Sequence, residues 1–241
     1  MLVSAGTALS LESAVTIYSN RTLEVALMRI GILGSGRMGA KLGTIWARAG
    51  HEVTFSYSHS NQKLARLARQ AGGPARAGSP AEAARDSAAL LLAVHWSRVA
   101  DVLAQAGDLS GKTIVSCSLP MNADDTELVV AHTSSGSEVL AQRVPGASVV
   151  SAFSTVPSEV LFAVYDGRRK KNKPTVVYCG DDARSKRIAA RLIRDAGFEP
   201  LDAGPLRIAR YIEPFTMLIA QLAYERPGGP KLAYRFWRLR P

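Results

Sequence analysis

The stretch GILGSGRMG, Gly31 to Gly39, follows a short apolar run and precedes a segment with helical spacing. Its Gly34-x-Gly36-x-x-Gly39 pattern has the spacing of a dinucleotide-binding loop between a strand and a helix. Gly34 permits the tight turn, Gly36 lets a diphosphate approach the backbone, and Gly39 allows the helix to pack closely on the strand. The stretch therefore predicts that a helix N-terminus binds a diphosphate.

Segments with strand and helix patterns alternate from Met28 onward. Strands are predicted within 29–33, 51–58, 83–94, 112–118, 147–154, 173–180 and 199–204, and helices over 37–49, 61–71, 97–106, 182–196 and 206–224. Alternation at these spacings is typical of an α/β fold, a doubly wound (Rossmann), mostly parallel sheet. No strand is expected after Gly204-Pro205, so the fold ends in a small C-terminal helical part.

The same pattern suggests three parts of the chain. We expect an N-terminal extension over 1–27, an NADP-binding Rossmann domain over 28–204 and a C-terminal helical segment over 205–241. Met28 is followed at once by the first strand, so 1–27 is interpreted as the result of an upstream start codon or as a short appended segment. A functional arm or a dimer-swapping strand is the alternative.

Composition limits the class of protein. The 241 residues are 47% hydrophobic, which is enough for one large domain with a real core. No stretch approaches the ~20 apolar residues that span a bilayer, so no membrane partner is expected. The only cysteines are Cys117 and Cys179, too few for a disulfide framework, and we therefore expect a cytoplasmic protein.

Positive charge is concentrated in the last third of the chain. The net charge is +10, and residues 151–241 hold 17 lysines and arginines against nine acidic residues. Such a surface attracts nucleic acid, an acidic surface or a polyanionic small molecule. The densest cluster, Arg168 to Lys173, has little aromatic interleaving, so no nucleic-acid partner is expected. The loop is either a guide for an anionic ligand or an ordinary solvated loop.

The end of the second strand indicates which nicotinamide cofactor is bound. NAD sites place an acidic residue there, but this chain has none between Glu52 and Glu82. The strand ends instead in SYSHSNQK, which supplies hydrogen-bond donors and one cation: Ser56, Ser58, His59, Ser60 and Lys63. Donors and positive charge suit the 2′-phosphate of NADP, which a carboxylate repels.

No catalytic or metal-binding pattern stands out. His95 follows the apolar run LLLAV at the ligand-bearing edge of the predicted sheet. It can be a general acid, a wall residue near the adenine or nicotinamide, or a structural histidine. The four histidines do not cluster with cysteines or carboxylates at metal-ligand spacing, so no metal site is predicted, and the catalytic residues stay unassigned.

Three segments together carry a family resemblance: MRIGILGSGRMG, SAFST, and CGDDARSKRIAARLIRDAGFEPLDAGPLRIARYIEP. The chain resembles the NADP oxidoreductases that depend on coenzyme F420, an 8-hydroxy-5-deazaflavin, from about residue 28 to about residue 225. The resemblance implies a doubly wound domain with a small helical C-terminal part. It also implies direct hydride transfer between the nicotinamide and the deazaflavin.

The resemblance further implies site residues. The diphosphate is expected to contact Ser35, Gly36, Arg37 and Met38, and the 2′-phosphate to contact Ser58, His59 and Lys63. The nucleotide is expected to lie along Val94 and His95, and the nicotinamide near Ala152. His59 stands where the family commonly has arginine. A histidine is largely neutral at pH 7, so it holds a phosphate less firmly than the arginine fork.

Other functions remain open from the sequence. An NADP-dependent imine or carbonyl reductase, akin to pyrroline-5-carboxylate reductases, keeps the cofactor and changes the acceptor. A non-catalytic NADP-binding redox sensor is a third interpretation. The expected partner is a small-molecule redox acceptor. Residues 206–224 are apolar around most of the predicted helix, which therefore needs burial on several sides. A second copy of the chain, as a further expected partner, or the core of the same chain covers it.

Overall fold

The computed structural model describes residues 27–239, and the predicted extension over 1–27 lies almost wholly outside the described residues. Eight strands form one sheet within the described part. They are β1 (Arg29–Leu33), β2 (Glu52–Ser56), β3 (Ala75–Ala77), β4 (Ala89–Leu92), β5 (Thr113–Ser116), β6 (Ser148–Ser151), β7 (Thr175–Gly180) and β8 (Glu199–Asp202).

The strand order is β3-β2-β1-β4-β5-β6-β7-β8. Neighbouring strands run parallel except β6 and β7, where Ser151 pairs with Cys179 in antiparallel register. The order reverses on either side of β1, so the loops after β1, β2 and β4 meet at one edge of the sheet. This confirms the predicted doubly wound, mostly parallel fold, and the reversal is where such sheets bind ligands.

Helices cover both faces of the sheet. They are α1 (Arg37–Arg48), α2 (Asn61–Ala71), α3 (Pro80–Arg85), α4 (Val99–Ala106), α5 (Gly136–Arg143), α6 (Leu161–Asp166), α7 (Ala183–Asp195) and α8 (Ala209–Tyr224), and short 3-10 turns cover Trp96–Arg98, Ser158–Val160 and Leu206–Ile208. None of the described helices is both long enough and apolar enough to cross a bilayer.

The core has a layer on each face of the sheet. Along β4 the side chains alternate: Leu91 packs with Trp46 and Phe153 on one face, while Leu90 and Leu92 belong to the cluster on the other. All five are buried. A strand buried on both faces reads as a continuous apolar run, which explains why LLL predicts a strand without polar alternation.

Two elements that the sequence pattern did not predict precede β4. The strand β3 has only three residues, Ala75–Ala77, and none of them is strongly apolar. Helix α3 begins at Pro80 after a capping box in which Ser79 and Glu82 cap each other's backbone N–H groups. The Ser-x-x-Glu spacing was a usable signal for this helix.

After Gly204 the described chain contains a 3-10 turn, α8 and an irregular tail. No strand follows Gly204 within the described residues, as predicted. The tail is attached to the sheet, because the Thr175 N–H donates to the Tyr234 carbonyl at 2.9 Å and the Tyr234 hydroxyl lies 2.6 Å from Thr155 Oγ1. A division of the chain into parts at Gly204 stays a prediction.

Candidate functional site

The glycine loop leaves β1 and turns into α1 as the sequence predicts. Gly34 has φ +113, a left-handed conformation, and a Cβ there would lie 2.4 Å from the Ala93 carbonyl oxygen. A Cβ at Gly39 would lie 1.9 Å from the Gly34 carbonyl oxygen. Both positions therefore require glycine for the fold itself.

Gly36 differs from its two neighbours in the motif. A Cβ added to Gly36 meets no atom of the described chain within 4 Å. Gly36 precedes the first turn of α1, and no side chain caps that helix end. The free N–H groups of an uncapped N-terminus carry partial positive charge and bind anionic oxygens. Packing does not explain a glycine here, whereas close approach of a ligand does.

Ser35 ties the loop to β2. Its hydroxyl donates to the Ser56 carbonyl at 2.9 Å, and the Ser56 hydroxyl donates to the Ile32 carbonyl at 2.7 Å. Both serines are buried. The Ser56 hydroxyl is therefore committed to the sheet, and it is unavailable for the predicted contact with a 2′-phosphate.

The end of β2 carries the other predicted phosphate ligands. Ser58, His59 and Lys63 all line the cleft that opens beside the glycine loop. The Ser60 hydroxyl accepts from the Lys63 N–H at 3.3 Å and so serves as the N-cap of α2. Of the three serines in this stretch, Ser58 is thus the one placed to meet a ligand.

Val94 and His95 line the same cleft from the end of β4. His95 Nε2 lies 2.9 Å from Asp125 Oδ1, and His95 Nδ1 lies 2.9 Å from the Ser97 hydroxyl. Both ring nitrogens therefore have partners. This arrangement fits a wall residue better than a general acid, because a proton donor needs a nitrogen facing the substrate.

Four predicted residues do not line this cleft: Arg37, Met38, Gly39 and Ala152. Gly39 is buried where α1 packs on β1. Ala152 is fully buried in the core, and its N–H donates to the Ser116 carbonyl at 3.0 Å. Arg37 and Met38 follow Gly36 directly, and their backbone N–H groups belong to the uncapped first turn of α1. These N–H groups and the exposed side chain of Arg37 are available to a diphosphate.

The cleft has a volume of about 1230 Å³ and includes residues that the sequence did not identify. They come from the turn after β4, from α4 and from the loop after β5: Arg98, Asp101, Gln105, Met121 and Asp125. No local motif marks these positions. They become part of the site because the sheet order places β4 and β2 on either side of β1.

The Tyr57 hydroxyl joins the two sides of the cleft by donating to Asp101 Oδ2. Burial raises the pKa of Tyr57 to about 12, the bond to Asp101 acts in the same direction, and the nearby charge of Arg98 opposes it. The pKa of Asp101 is lowered by the hydrogen bonds from Tyr57 and Gln105. At neutral pH Tyr57 is therefore a neutral donor and Asp101 an anion that accepts its hydrogen bond.

The cysteines carry no evident chemistry. Burial raises the pKa of Cys117 to about 12, and burial also raises the pKa of Cys179 to about 12. Both are free thiols that stay protonated at neutral pH and are poor nucleophiles. Among residues 27–239 no group of three or more histidine, cysteine or acidic side chains is arranged to hold a metal ion.

Residues 29–120 match the family described as NADP oxidoreductase, coenzyme F420-dependent. This match confirms the resemblance over β1 to the loop after β5, the part of the chain that contributes most of the cleft. Over that segment the chain is therefore similar to this family.

One curated relative is similar over most of this chain. The metalloreductase STEAP3 of Rattus norvegicus is 29% identical over 189 residues, which cover 78% of this chain and 36% of the rat protein. The chain therefore spans about a third of the length of that relative.

Solved structures share the fold. A protein from Arthrobacter sp. FB24, provisionally named an F420-dependent NADP reductase, has a TM-score of 0.76 at 23% identity, with 88% of this chain and 100% of that chain covered. A pyrroline-5-carboxylate reductase from Coxiella burnetii has a TM-score of 0.53 at 15% identity, with 73% and 58% covered. At these identities the likeness concerns architecture alone.

Proposed function

We propose that the protein binds NADPH in the cleft beside the glycine loop and transfers hydride to a deazaflavin of the coenzyme F420 type. The observation that carries the proposal is the uncapped N-terminus of α1, which opens at Gly36 onto the cleft with no side chain in the way. Two phosphates of a dinucleotide fit such a helix end because its N–H groups have no other acceptor.

The residues of the cleft fit the rest of the cofactor. The end of β2 offers the Ser58 hydroxyl, the His59 ring and the Lys63 ammonium to the adenosine side, and none of these belongs to a salt bridge within the described chain. Val94 supplies an apolar wall. When bound, NADPH supplies a hydride from its nicotinamide ring.

The contribution of the protein to this reaction is placement. Hydride transfer between two stacked rings needs neither a metal nor a general base, so the chain has to hold both rings in contact and keep water away. This agrees with the engaged nitrogens of His95 and with the protonated cysteines. The deazaflavin itself is proposed from the family description and from the resemblance.

Rapid mixing of the protein with NADPH and a panel of acceptors tests the proposal. The panel contains coenzyme F420, FMN, a ferric chelate and a cyclic imine. We expect F420 to oxidise NADPH at least about tenfold faster than any other acceptor, and NADH to be a poor donor. If the protein reduces the imine and does not react with F420, the proposal is wrong and the protein is an imine reductase. Tight NADPH binding without turnover on any acceptor replaces it with a redox sensor.

We also propose that the active form is a homodimer joined through α8. One side of this helix is buried against the chain, but Tyr211, Leu218 and Leu222 are 67%, 53% and 45% exposed. With half-buried Phe215 they recur at i, i+4, i+7 and i+11, which defines a stripe along one side of α8. The Phe215 ring also packs against Tyr234 and Phe236 of the tail. No charged residue lies between Pro214 and Tyr224, so two copies can pack here without burying charge, although the chain carries +10 overall.

Sedimentation velocity at micromolar concentration tests the dimer. We expect the wild type to sediment as a dimer and Leu218→Glu as a folded monomer, because two buried carboxylates at the interface cost several kcal/mol. Gln70→Glu, on the exposed surface of α2, adds the same charge away from the stripe and leaves the dimer intact. A monomeric wild type contradicts the proposal.

A further inference from the structure

The charged groups that line the cleft fall into two sets. Its three carboxylates are engaged with the protein: Glu82 accepts from the Ser79 N–H, Asp101 accepts from Tyr57 and Gln105, and Asp125 lies 2.9 Å from His95. The two permanent cations, Lys63 and Arg98, form no side-chain hydrogen bond or salt bridge within residues 27–239. The cleft therefore offers two cations to an anionic ligand.

Arg98 lies opposite the end of β2. It immediately precedes α4, and Asp101 follows it three residues later, one helical turn along the same side. Because Asp101 accepts the Tyr57 hydroxyl, this side of α4 meets the backbone segment that continues into Ser58 and His59. Arg98 is close enough to Tyr57 for its charge to oppose the raised pKa of that tyrosine.

We infer that Arg98, from the turn after β4, binds the 2′-phosphate of NADP together with Lys63. The inference rests on the proposed function, since it assigns a ligand group to the same cleft. The guanidinium is permanently charged and presents a planar fork of N–H donors that matches phosphate oxygens. The imidazole ring of His59 lacks such a fork of donors.

The order of the strands explains how Arg98, in the turn after β4, can reach a phosphate at the end of β2. The β2 end lies beside the glycine loop, and the loop after β4 lies on its other side, since the sheet order is β2-β1-β4. A phosphate beyond the end of β2 is therefore reachable from both loops. Arg98 is an exposed side chain with room to reorient toward it.

Calorimetric binding of 2′,5′-ADP and of 5′-AMP tests the inference, because the two ligands differ only in the 2′-phosphate. We expect Arg98→Ala to raise the Kd for 2′,5′-ADP about tenfold and to change the Kd for 5′-AMP less than about twofold. Arg98→Lys keeps the charge but not the fork of donors, so its Kd for 2′,5′-ADP is expected to lie between those of the wild type and Arg98→Ala. Lys63→Ala weakens 2′,5′-ADP in the same selective way, and Arg66→Ala, on the exposed side of α2, has no effect.

The outcomes separate this inference from the proposed function. If the wild type prefers 2′,5′-ADP and Arg98→Ala keeps the full preference, the role of Arg98 is wrong while NADP binding stands. Equal weakening of both ligands in Arg98→Ala shows a contact with the adenosine or a structural role, which also overturns the inference. A wild type that binds both ligands equally removes the 2′-phosphate site and the NADP assignment with it.

Discussion

Gly36→Ala is expected to weaken NADPH binding on the order of 100-fold while the melting temperature of the free protein stays within about 1 °C. The methyl group meets no protein atom within 4 Å, and the backbone φ of −78 is accessible to alanine, so the fold has no reason to change. In the complex the same methyl group occupies the space through which a diphosphate reaches the free N–H groups of α1. Fluorescence titration with NADPH and a thermal melt measure the two effects.

Gly39→Ala is the matched control from the same motif. Its Cβ would lie 1.9 Å from the Gly34 carbonyl oxygen and 3.0 Å from Ile32, so this variant is expected to lose both stability and binding. The contrast separates a glycine required by a ligand from one required by packing. Unchanged NADPH affinity in folded Gly36→Ala would exclude the helix end as the diphosphate site.

Glu213→Ala is expected to lower the free energy of unfolding by about 3 kcal/mol, a fall in melting temperature of about 10 °C for a chain of this size. Glu213 is 1% exposed, and its carboxylate accepts hydrogen bonds from the Gly136 N–H, the Ser137 N–H and the Ser137 hydroxyl at 2.8–2.9 Å. Alanine leaves these buried donors at the start of α5 without a partner. Chemical denaturation followed by circular dichroism measures the loss.

Glu213→Gln and the pH dependence distinguish a lost acceptor from a lost side-chain volume. The glutamine keeps the size and one acceptor oxygen, but its NH₂ group meets a donor, so we expect an intermediate loss of stability.

Burial raises the pKa of Glu213 against the opposing hydrogen bonds from Ser137 and Gly136. The folded state therefore holds this proton to higher pH than the unfolded state, and the stability contributed by Glu213 falls as pH rises between the two pKa values.

The direction of this pH dependence can be measured by comparing the wild type with Glu213→Ala. The difference in stability between the wild type and Glu213→Ala is expected to be larger on the acidic side of that range than at pH 8. A difference that grows with increasing pH would mean that the carboxylate is stabilised by its donors more than it is penalised by burial.

Local patterns were sufficient for the glycine loop and for seven of the eight described strands. The run Arg29–Leu33 and the glycines after it predict a strand, a turn and a helix because each property is a matter of neighbouring residues. Helix α2, predicted over 61–71, occupies Asn61–Ala71 because an amphipathic repeat and a Ser60 cap mark it. Short β3 escaped prediction, because three residues carry no period.

Tertiary structure decided which polar side chains are free to face the cleft. From the sequence alone, Ser56, Ser58 and Ser60 are equivalent candidates for a ligand contact. In the fold, the Ser56 hydroxyl donates to the Ile32 carbonyl of the sheet, and the Ser60 hydroxyl caps α2. Ala152, which the family resemblance implies near the nicotinamide, is fully buried in the core.

The sequence by itself determined that a glycine turn, a helix N-terminus and a β2 end without acidic residues follow one another, since these depend on spacing along the chain. Only the fold decided that Arg98 and Asp101 share a cleft with Ser58, that Glu213 serves α5, and that one side of α8 stays uncovered. These contacts join residues more than 35 positions apart, and the order of the strands, rather than any local pattern, brings such residues together.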